Sequence, residues 1–169
     1  KERIEAGVGQ YGGLPTFADA RTMLEATRPE VFCFCTPPAV RLPLVRLAVE
    51  FGVRGLAMEK PLGVSLAEAC ELRNLLDDAG IRTVVCMQHK YLAQMRKLHE
   101  IVSSGAIGEI RSVEASCRSW LSLVGIHYID YALWIAGNAR ATRVSGHVHG
   151  TGKLADAHPS PDYVLGHWM

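Results

Sequence analysis

A lysine stands at the end of a predicted buried strand. The apolar run Gly-Leu-Ala-Met at residues 55–58 leads directly into Glu59-Lys60-Pro61. Open α/β sheets bind their ligands at the carboxyl ends of their strands. A lysine there can donate a hydrogen bond to a substrate oxygen, and its charge favours the anionic form of that oxygen. The alternative is a Glu-Lys-Pro on a solvated turn. The neighbouring elements must decide between these two interpretations of Lys60.

Two more apolar runs end in the same way. Residues 31–35 form one run, the pattern of a strand covered on both faces, and Thr36-Pro37-Pro38 follows it. Residues 83–87 form another, which ends at Gln88-His89. Three separate strand ends that carry polar or turn-forming residues are less easily explained as chance than one.

Two predicted helices connect these strands. The first stops at Gly52, and its apolar stripe consists of Val40, Leu44, Leu47, Ala48 and Phe51. The second begins at the capping-box sequence Ser65-Leu-Ala-Glu68 and closes at Gly80. Alternating strands and helices predict an α/β fold with a parallel sheet and right-handed crossovers. The strand ends then meet at one edge, which favours a functional role for Lys60.

The periodicity changes after this sheet. A helical pattern covers residues 90–104, Gly105 to Gly108 interrupts it, and residues 109–117 alternate like a strand with one exposed face. We therefore predict two domains. Residues 1–89 form the first domain, with the parallel sheet, and residues 90–169 form the second.

Composition excludes several classes of protein. The 169 residues are 49% hydrophobic, with 18 basic and 17 acidic side chains and a net charge of +1. No charge cluster predicts a nucleic-acid partner. No apolar stretch approaches the roughly 20 residues that span a bilayer, and the first residues lack the apolar core of a signal peptide. We expect a cytoplasmic protein without a membrane partner, whose five cysteines are reduced, buried thiols.

Two apparent motifs are weak. Gly7-Val-Gly9-Gln-Tyr-Gly12 matches the dinucleotide-binding pattern, but a charged segment precedes it and Gly13-Leu14-Pro15 follows it. Because the motif requires a strand before it and a helix after it, we predict a loop over residues 7–15 and a helix from about Thr16. His147 and His149 alternate on a predicted strand, but no third ligand has suitable spacing, so we predict no metal site.

The order of motifs resembles that of the Gfo/Idh/MocA oxidoreductases, the relatives of glucose-fructose oxidoreductase and inositol 2-dehydrogenase. T-P-P after a strand is followed by E-K-P-L, then by G-x-I-G-E-I-R at residues 105–111 and G-I-H-x-x-D at residues 125–130. The resemblance covers roughly residues 16–146. It implies that residues 1–89 are the C-terminal part of a Rossmann-type nucleotide-binding domain that binds NAD or NADP. It also implies that residues 90–169 are part of an open-sheet α/β (α+β) domain that closes a sugar, cyclitol or polyol pocket and usually forms a homo-oligomer. It also implies that the chain is incomplete at both ends, with the true glycine fingerprint upstream.

The resemblance assigns roles by position. Thr36, Pro37, Pro38, Glu59, Lys60 and Gln88 correspond to residues that contact the cofactor. Lys60 and His127 correspond to catalytic residues that also bind substrate. Asp130 lies one helical turn beyond His127 and would orient it or a substrate hydroxyl.

The histidine and the aspartate each have a structural alternative. His127 begins a helix and lies beside its predicted apolar stripe, which consists of Ile126, Ile129, Leu133 and Ala136. It could cap that helix rather than react. Asp130 could bond backbone groups or arginine side chains.

Two residues depart from the family pattern. Leu123 stands where relatives commonly carry an acidic partner for the histidine, and Arg41 stands where they often have histidine. Leu123 cannot transfer a proton. A non-catalytic member that senses a nucleotide or binds a protein is therefore the alternative to a dehydrogenase.

Overall fold

Strands and helices alternate along the first part of the chain in a computed structural model that describes residues 13–118, 120–150 and 161–169. The strands of this part are β1 (Val31–Phe34), β2 (Gly55–Glu59) and β3 (Arg82–Cys86). The helices are α1 (Ala20–Thr27), α2 (Arg41–Glu50) and α3 (Leu66–Asp78). The three strands pair in parallel in the order β1-β2-β3, which confirms the predicted α/β fold. Their carboxyl ends therefore lie at one edge.

One face of this sheet carries the core. Phe32 and Phe34 of β1 and Leu56 and Met58 of β2 are buried against the helices. The alternate residues, such as Val31 and Cys33, are exposed. The prediction that β1 is covered on both faces is wrong, because α1, α2 and α3 pack on a single face of the described sheet.

The same arrangement corrects the prediction of buried cysteines. Cys33 and Cys35 are exposed because they alternate with the buried phenylalanines, and Cys117 is exposed as well. Cys70 and Cys86 are half-buried. Cys33, Cys35, Cys70 and Cys86 form no disulfide bond with one another. Partial burial raises the pKa of the Cys86 thiol, and the neighbouring Glu59 carboxylate raises it further.

Two helices, α1 and α3, begin with a side-chain cap. Asp19 is the N-cap of α1, and its carboxylate accepts a hydrogen bond from the Thr22 backbone N–H at 2.9 Å. The predicted start near Thr16 is therefore too early. Ser65 caps α3 as expected and accepts from the Glu68 N–H at 3.2 Å. The Glu68 carboxylate accepts a hydrogen bond from the Val64 N–H rather than from the Ser65 N–H.

Helix α2 packs most of its predicted stripe on the core. Ala48 is buried as expected, and Leu44, Leu47 and Phe51 are partly buried against the core. Val45 and the whole side chain of Arg41 are buried as well. Val40 is 46% exposed because a short 3-10 helix, Pro38–Val40, precedes α2 and shifts the helical register. A polar residue thus occupies the innermost position at the start of α2.

The second part of the chain combines helices with an antiparallel pair of strands. A 3-10 helix (Gln88–Tyr91) leads into α4 (Ala93–Ser103), and a π-helical turn (Leu121–Gly125) leads into α5 (Ile126–Ile135). Strands β4 (Val144–His149) and β5 (Tyr163–Trp168) form a separate antiparallel pair, so His147 and His149 do lie on a strand. The domain boundary near residue 90 stays a prediction.

One predicted strand does not form. Residues 109–117 carry alternating apolar side chains, but they adopt no regular structure. A strand exists only as part of a hydrogen-bonded ladder, and neither sheet of the described residues includes this segment. Its alternation is therefore insufficient to make it a strand here.

The glycine pattern at residues 7–12 lies outside the described residues, so its interpretation as a loop stays a prediction. Gly13 to Pro15, the described end of that loop, has no helix or strand. Within the described ranges, no helix combines the length and apolarity needed to cross a membrane.

Candidate active site

A cavity of about 500 Å³ opens at the carboxyl ends of the parallel strands. Both parts of the chain contribute to its lining, which consists of Cys35, Thr36, Pro37, Glu59, Lys60, Gln88, His89, Leu123, Val124 and His127. The structure thus brings the predicted residues from three strand ends together with the predicted histidine of α5. Cavities of this size accommodate a small ligand or one end of a larger one.

Lys60 is held at the cavity by the backbone of the opposite wall. Its ammonium group donates a hydrogen bond to the Leu123 carbonyl oxygen, with an Nζ–O distance of 2.7 Å. An ammonium group has three N–H donors, so two remain for a ligand. The position at which relatives carry an acid therefore supplies an acceptor to Lys60 through its main chain. The Leu123 side chain offers no proton acceptor.

The acceptor belongs to an unusual turn. Residues Leu121–Gly125 are π-helical, and the Trp120 carbonyl accepts hydrogen bonds from the Val124 and Gly125 N–H groups at 2.9 and 3.2 Å. Gly125 is buried, and a Cβ atom there would come within 2.9 Å of Leu121 Cδ1. Such turns are rare and occur frequently at functional sites. This one places Leu123, Val124 and His127 along the same wall.

His127 is the buried residue of α5. Its side chain is 2% exposed, whereas the predicted stripe around Ile126 and Ile129 is only half-buried. The prediction that His127 lies beside the buried face is therefore wrong, because α5 turns this residue toward the sheet edge. Among the described residues, its Nδ1 atom has no hydrogen-bond partner.

The surroundings of His127 favour its neutral form. Burial lowers the pKa of the imidazole from its ordinary value, and the nearby charges of His89 and Lys60 lower it further. Asp130 and Glu59 act in the opposite direction, and their effects are smaller. A neutral imidazole has one nitrogen that can accept a proton. The ring is thus suited to act as a base near neutral pH.

Two predicted site residues do not line the cavity. Pro38 is almost wholly buried at the start of the 3-10 helix, so its ring is packed in the protein rather than open to a ligand. Asp130 pairs with Lys90, with an Oδ1–Nζ distance of 3.2 Å. Asp130 therefore joins α5 to the segment after β3. Its Oδ2 atom is buried and has no partner among the described residues.

Sequence reasoning missed a role for Arg41. Its fully buried guanidinium donates from Nη2 to the Thr36 carbonyl at 2.8 Å and to the Lys60 carbonyl at 3.1 Å. Arg41 therefore ties together the chain segments that leave β1 and β2. Burial lowers the pKa of this guanidinium, although Glu59 and Glu68 oppose the change. An arginine followed by the apolar residues Leu42 to Val45 at the start of the helix was the available signal.

We expect Arg41→Ala to lower the free energy of unfolding by about 2–4 kcal/mol, because two carbonyl groups lose their donor and a buried side chain leaves a void. The matched control is Arg46→Ala on the same helix, since Arg46 forms an ion pair with Glu71 at 2.6 Å while both side chains are largely exposed. Exposed pairs contribute below about 1 kcal/mol. Urea unfolding of the intact protein measures both losses, and equal losses would contradict the role given to Arg41.

The chain is similar in sequence to a curated enzyme. D-glucoside 3-dehydrogenase of Escherichia coli is 24% identical over 164 residues, which cover 86% of this chain and 46% of that enzyme. The chain thus spans about half the length of the curated relative that it matches. No protein-family model matches the sequence.

Solved structures share the fold across nearly the whole chain. The myo-inositol 2-dehydrogenase of Lactobacillus plantarum matches with a TM-score of 0.78 and 18% identity, covering 99% of this chain and 55% of that one. An oxidoreductase from Agrobacterium radiobacter, in complex with NAD+, L-tartaric acid and magnesium, matches with a TM-score of 0.79 and 18% identity. That match covers 99% of this chain and 52% of the other.

The parallel sheet and the cavity at its strand ends define a partial Rossmann-type α/β protein with a ligand cleft. The curated relative and the structural neighbours confirm the resemblance of this chain to the Gfo/Idh/MocA oxidoreductases.

Proposed function

We propose that the intact protein is an NAD(P)-dependent oxidoreductase that transfers a hydride between nicotinamide and a secondary alcohol of a sugar, cyclitol or related polyol. The observation that carries this proposal is the convergence of Lys60 and His127 on one cavity at the ends of β1, β2 and β3. The names of the similar proteins support the substrate class, since they include a glucoside and an inositol dehydrogenase.

The cavity suits the nicotinamide end of a dinucleotide. Thr36 and Pro37 after β1, Glu59 and Lys60 at the end of β2, and Gln88 after β3 form its sheet side. The Thr36 hydroxyl is buried and, among the described residues, has no hydrogen-bond partner, so it is available to a polar ligand. These residues would hold the nicotinamide, which when bound accepts or supplies the hydride. The complex of the Agrobacterium oxidoreductase with NAD+ supports this choice of cofactor.

Lys60 and His127 would act on the substrate hydroxyl as a hydrogen-bond donor and a proton acceptor, respectively. Lys60, fixed by the Leu123 carbonyl, would donate a second hydrogen bond to the hydroxyl oxygen and favour its alkoxide form. His127 would accept the hydroxyl proton as general base, because its buried ring is kept neutral. Donation by Lys60 and acceptance by His127 act on the same O–H group, so both promote oxidation.

Asp130 would act on His127 indirectly. Its ion pair with Lys90 joins α5 to the segment that follows β3, and this contact would help to position His127 one helical turn earlier. This role replaces the direct bond to His127 or substrate that the sequence suggested. We therefore place Asp130 outside the groups that touch the substrate.

The test is turnover by the intact protein with a panel of glucosides, inositols and simple polyols, each with NAD and with NADP. Formation of reduced cofactor with at least one polyol is the expected result. Tight cofactor binding by calorimetry without turnover on any polyol would contradict the proposal. It would favour the alternative of a non-catalytic nucleotide sensor or protein-binding member, to which the leucine at position 123 points.

A further inference from the structure

A second histidine covers one face of His127. His89 lies in the 3-10 helix Gln88–Tyr91 directly after β3, and its ring stacks on that of His127. The ring centroids are 4.0 Å apart, and the planes differ by 15°. His89 is half-buried and lines the same cavity, whereas His127 is almost wholly buried. The buried imidazole thus reaches the cavity beside a more accessible one.

Additional contacts join the two chain segments that carry these rings. Lys90 follows His89, and it pairs with Asp130, three residues after His127. The side chains of this pair are only 25% and 20% exposed, so the contact is partly shielded from solvent. Tyr131 adds its ring at 6.4 Å from the centroids of both histidines. The ion pair and the stack therefore join the same two segments of the chain.

The charges around the stack oppose protonation of both rings. Two imidazolium groups at this distance repel each other, and the Lys60 ammonium at the end of β2 adds a third positive charge. Glu59 from β2 and Asp130 from α5 are the acidic groups near His127, and Asp130 is already paired with Lys90. The Tyr131 hydroxyl carries no charge near neutral pH, because its ordinary pKa is about 10 and burial raises it further. These surroundings therefore disfavour a proton on His127.

We propose that His89 is a positioning residue for His127, which holds the plane of the buried ring against the cavity and disfavours its protonated form. The catalytic meaning of this role rests on the proposed function, whereas the coupling between the two rings does not. The pKa of His127 agrees with the geometry, since it is lowered first by burial and next by His89.

The first test follows the titration of His127 by NMR in the intact protein with isotope-labelled histidine and no substrate. His89→Gln removes the facing imidazole and keeps a polar side chain, and we expect it to raise the pKa of His127 by about half a unit or more. His89→Phe removes the titratable group, keeps a flat ring, and should act in the same direction if the glutamine variant folds poorly. A pKa of His127 that does not rise in the folded variant would overturn the proposal.

The matched control is His99→Gln. His99 stacks on Trp134 with a centroid distance of 4.1 Å and an angle of 9°, but it does not line the cavity. We expect this variant to leave the titration of His127 unchanged. An equal rise of the His127 pKa in the His99 variant would show a general effect of histidine removal and would count against a specific His89–His127 pair.

The second test is the pH profile of kcat/KM. His89→Gln should move the acid limb to higher pH by the same amount as the NMR titration, because kcat/KM reports the free enzyme. A shifted titration in a protein without turnover would support the coupling and contradict only the proposed function. Turnover together with an unshifted titration would support the dehydrogenase and overturn the role of His89.

Discussion

Lys60→Ala is expected to lower kcat/KM of the intact protein on its polyol substrate by about a hundredfold or more, a loss of ~3 kcal/mol in transition-state stabilisation. Lys60 donates to the Leu123 carbonyl at 2.7 Å from within the cavity, which leaves two N–H donors for the reacting oxygen. Alanine removes the positive charge where negative charge develops. Cofactor affinity should change much less, because the proposed role of Lys60 is to stabilise the alkoxide of the substrate.

Steady-state kinetics and calorimetric titration of the cofactor separate these two effects. Lys97→Ala is the matched control, because Lys97 pairs with Glu100 at 2.7 Å and both side chains are more than half exposed. The control should retain wild-type kinetics. A Lys60 variant with unchanged kcat/KM, or one that loses affinity for the cofactor and substrate while kcat is unaltered, would contradict the role of Lys60 in stabilising the alkoxide.

His127→Ala is expected to reduce kcat/KM by about a hundredfold or more near neutral pH, the usual contribution of a positioned general base. The sign of the pH dependence follows from the lowered pKa of His127. Wild-type kcat/KM should fall as pH decreases through a value below about 6.5, where the neutral ring gains a proton. The alanine variant should lack this acid limb, since no proton-accepting side chain occurs at position 123.

Rate measurements across the acid and neutral range check this second prediction. His99→Ala provides the control, because it removes a stacked histidine that does not line the cavity. If the His127 variant kept both its rate and its acid limb, another group would have to be the base. Unchanged turnover in both the Lys60 and His127 variants would favour the sensing or scaffold alternative.

The meeting of the strand ends was predictable from local sequence. Apolar runs separated by capped helices require a parallel sheet, and this places Thr36, Lys60 and Gln88 at one edge whatever the side-chain details. The N-cap at Ser65 was equally predictable, because it depends on a hydrogen bond within one turn. These features depend on residues close together in the chain.

The predictions that failed share a different cause. Residues 109–117 alternate like a strand, but a strand needs a partner that no local pattern can supply. The exposure of Cys33 depends on whether helices cover one face of the sheet or two. Both properties are set by residues distant in sequence, so periodicity alone could not decide them.

The candidate site also combines features set by local sequence with features set by contacts between distant residues. The sequence identified His127 through a motif, but its burial depends on how α5 packs at the sheet edge. The hydrogen bond from Arg41 to the Lys60 carbonyl joins residues 19 positions apart, and the stack of His89 on His127 joins residues 38 positions apart. No spacing rule connects residues over such distances. The sequence therefore showed which residue types the site contains, whereas it did not show which of these residues contact one another.

The most direct test of the proposed hydride transfer uses a polyol substrate that carries deuterium on the carbon of its reacting hydroxyl. The intact protein and NAD or NADP are incubated with this substrate, and the reduced cofactor is analysed by NMR and mass spectrometry. We expect one deuterium at C4 of the nicotinamide, with the label lost from the substrate carbon. Cofactor that binds the protein but remains oxidised and unlabelled with every polyol of the panel would contradict the account.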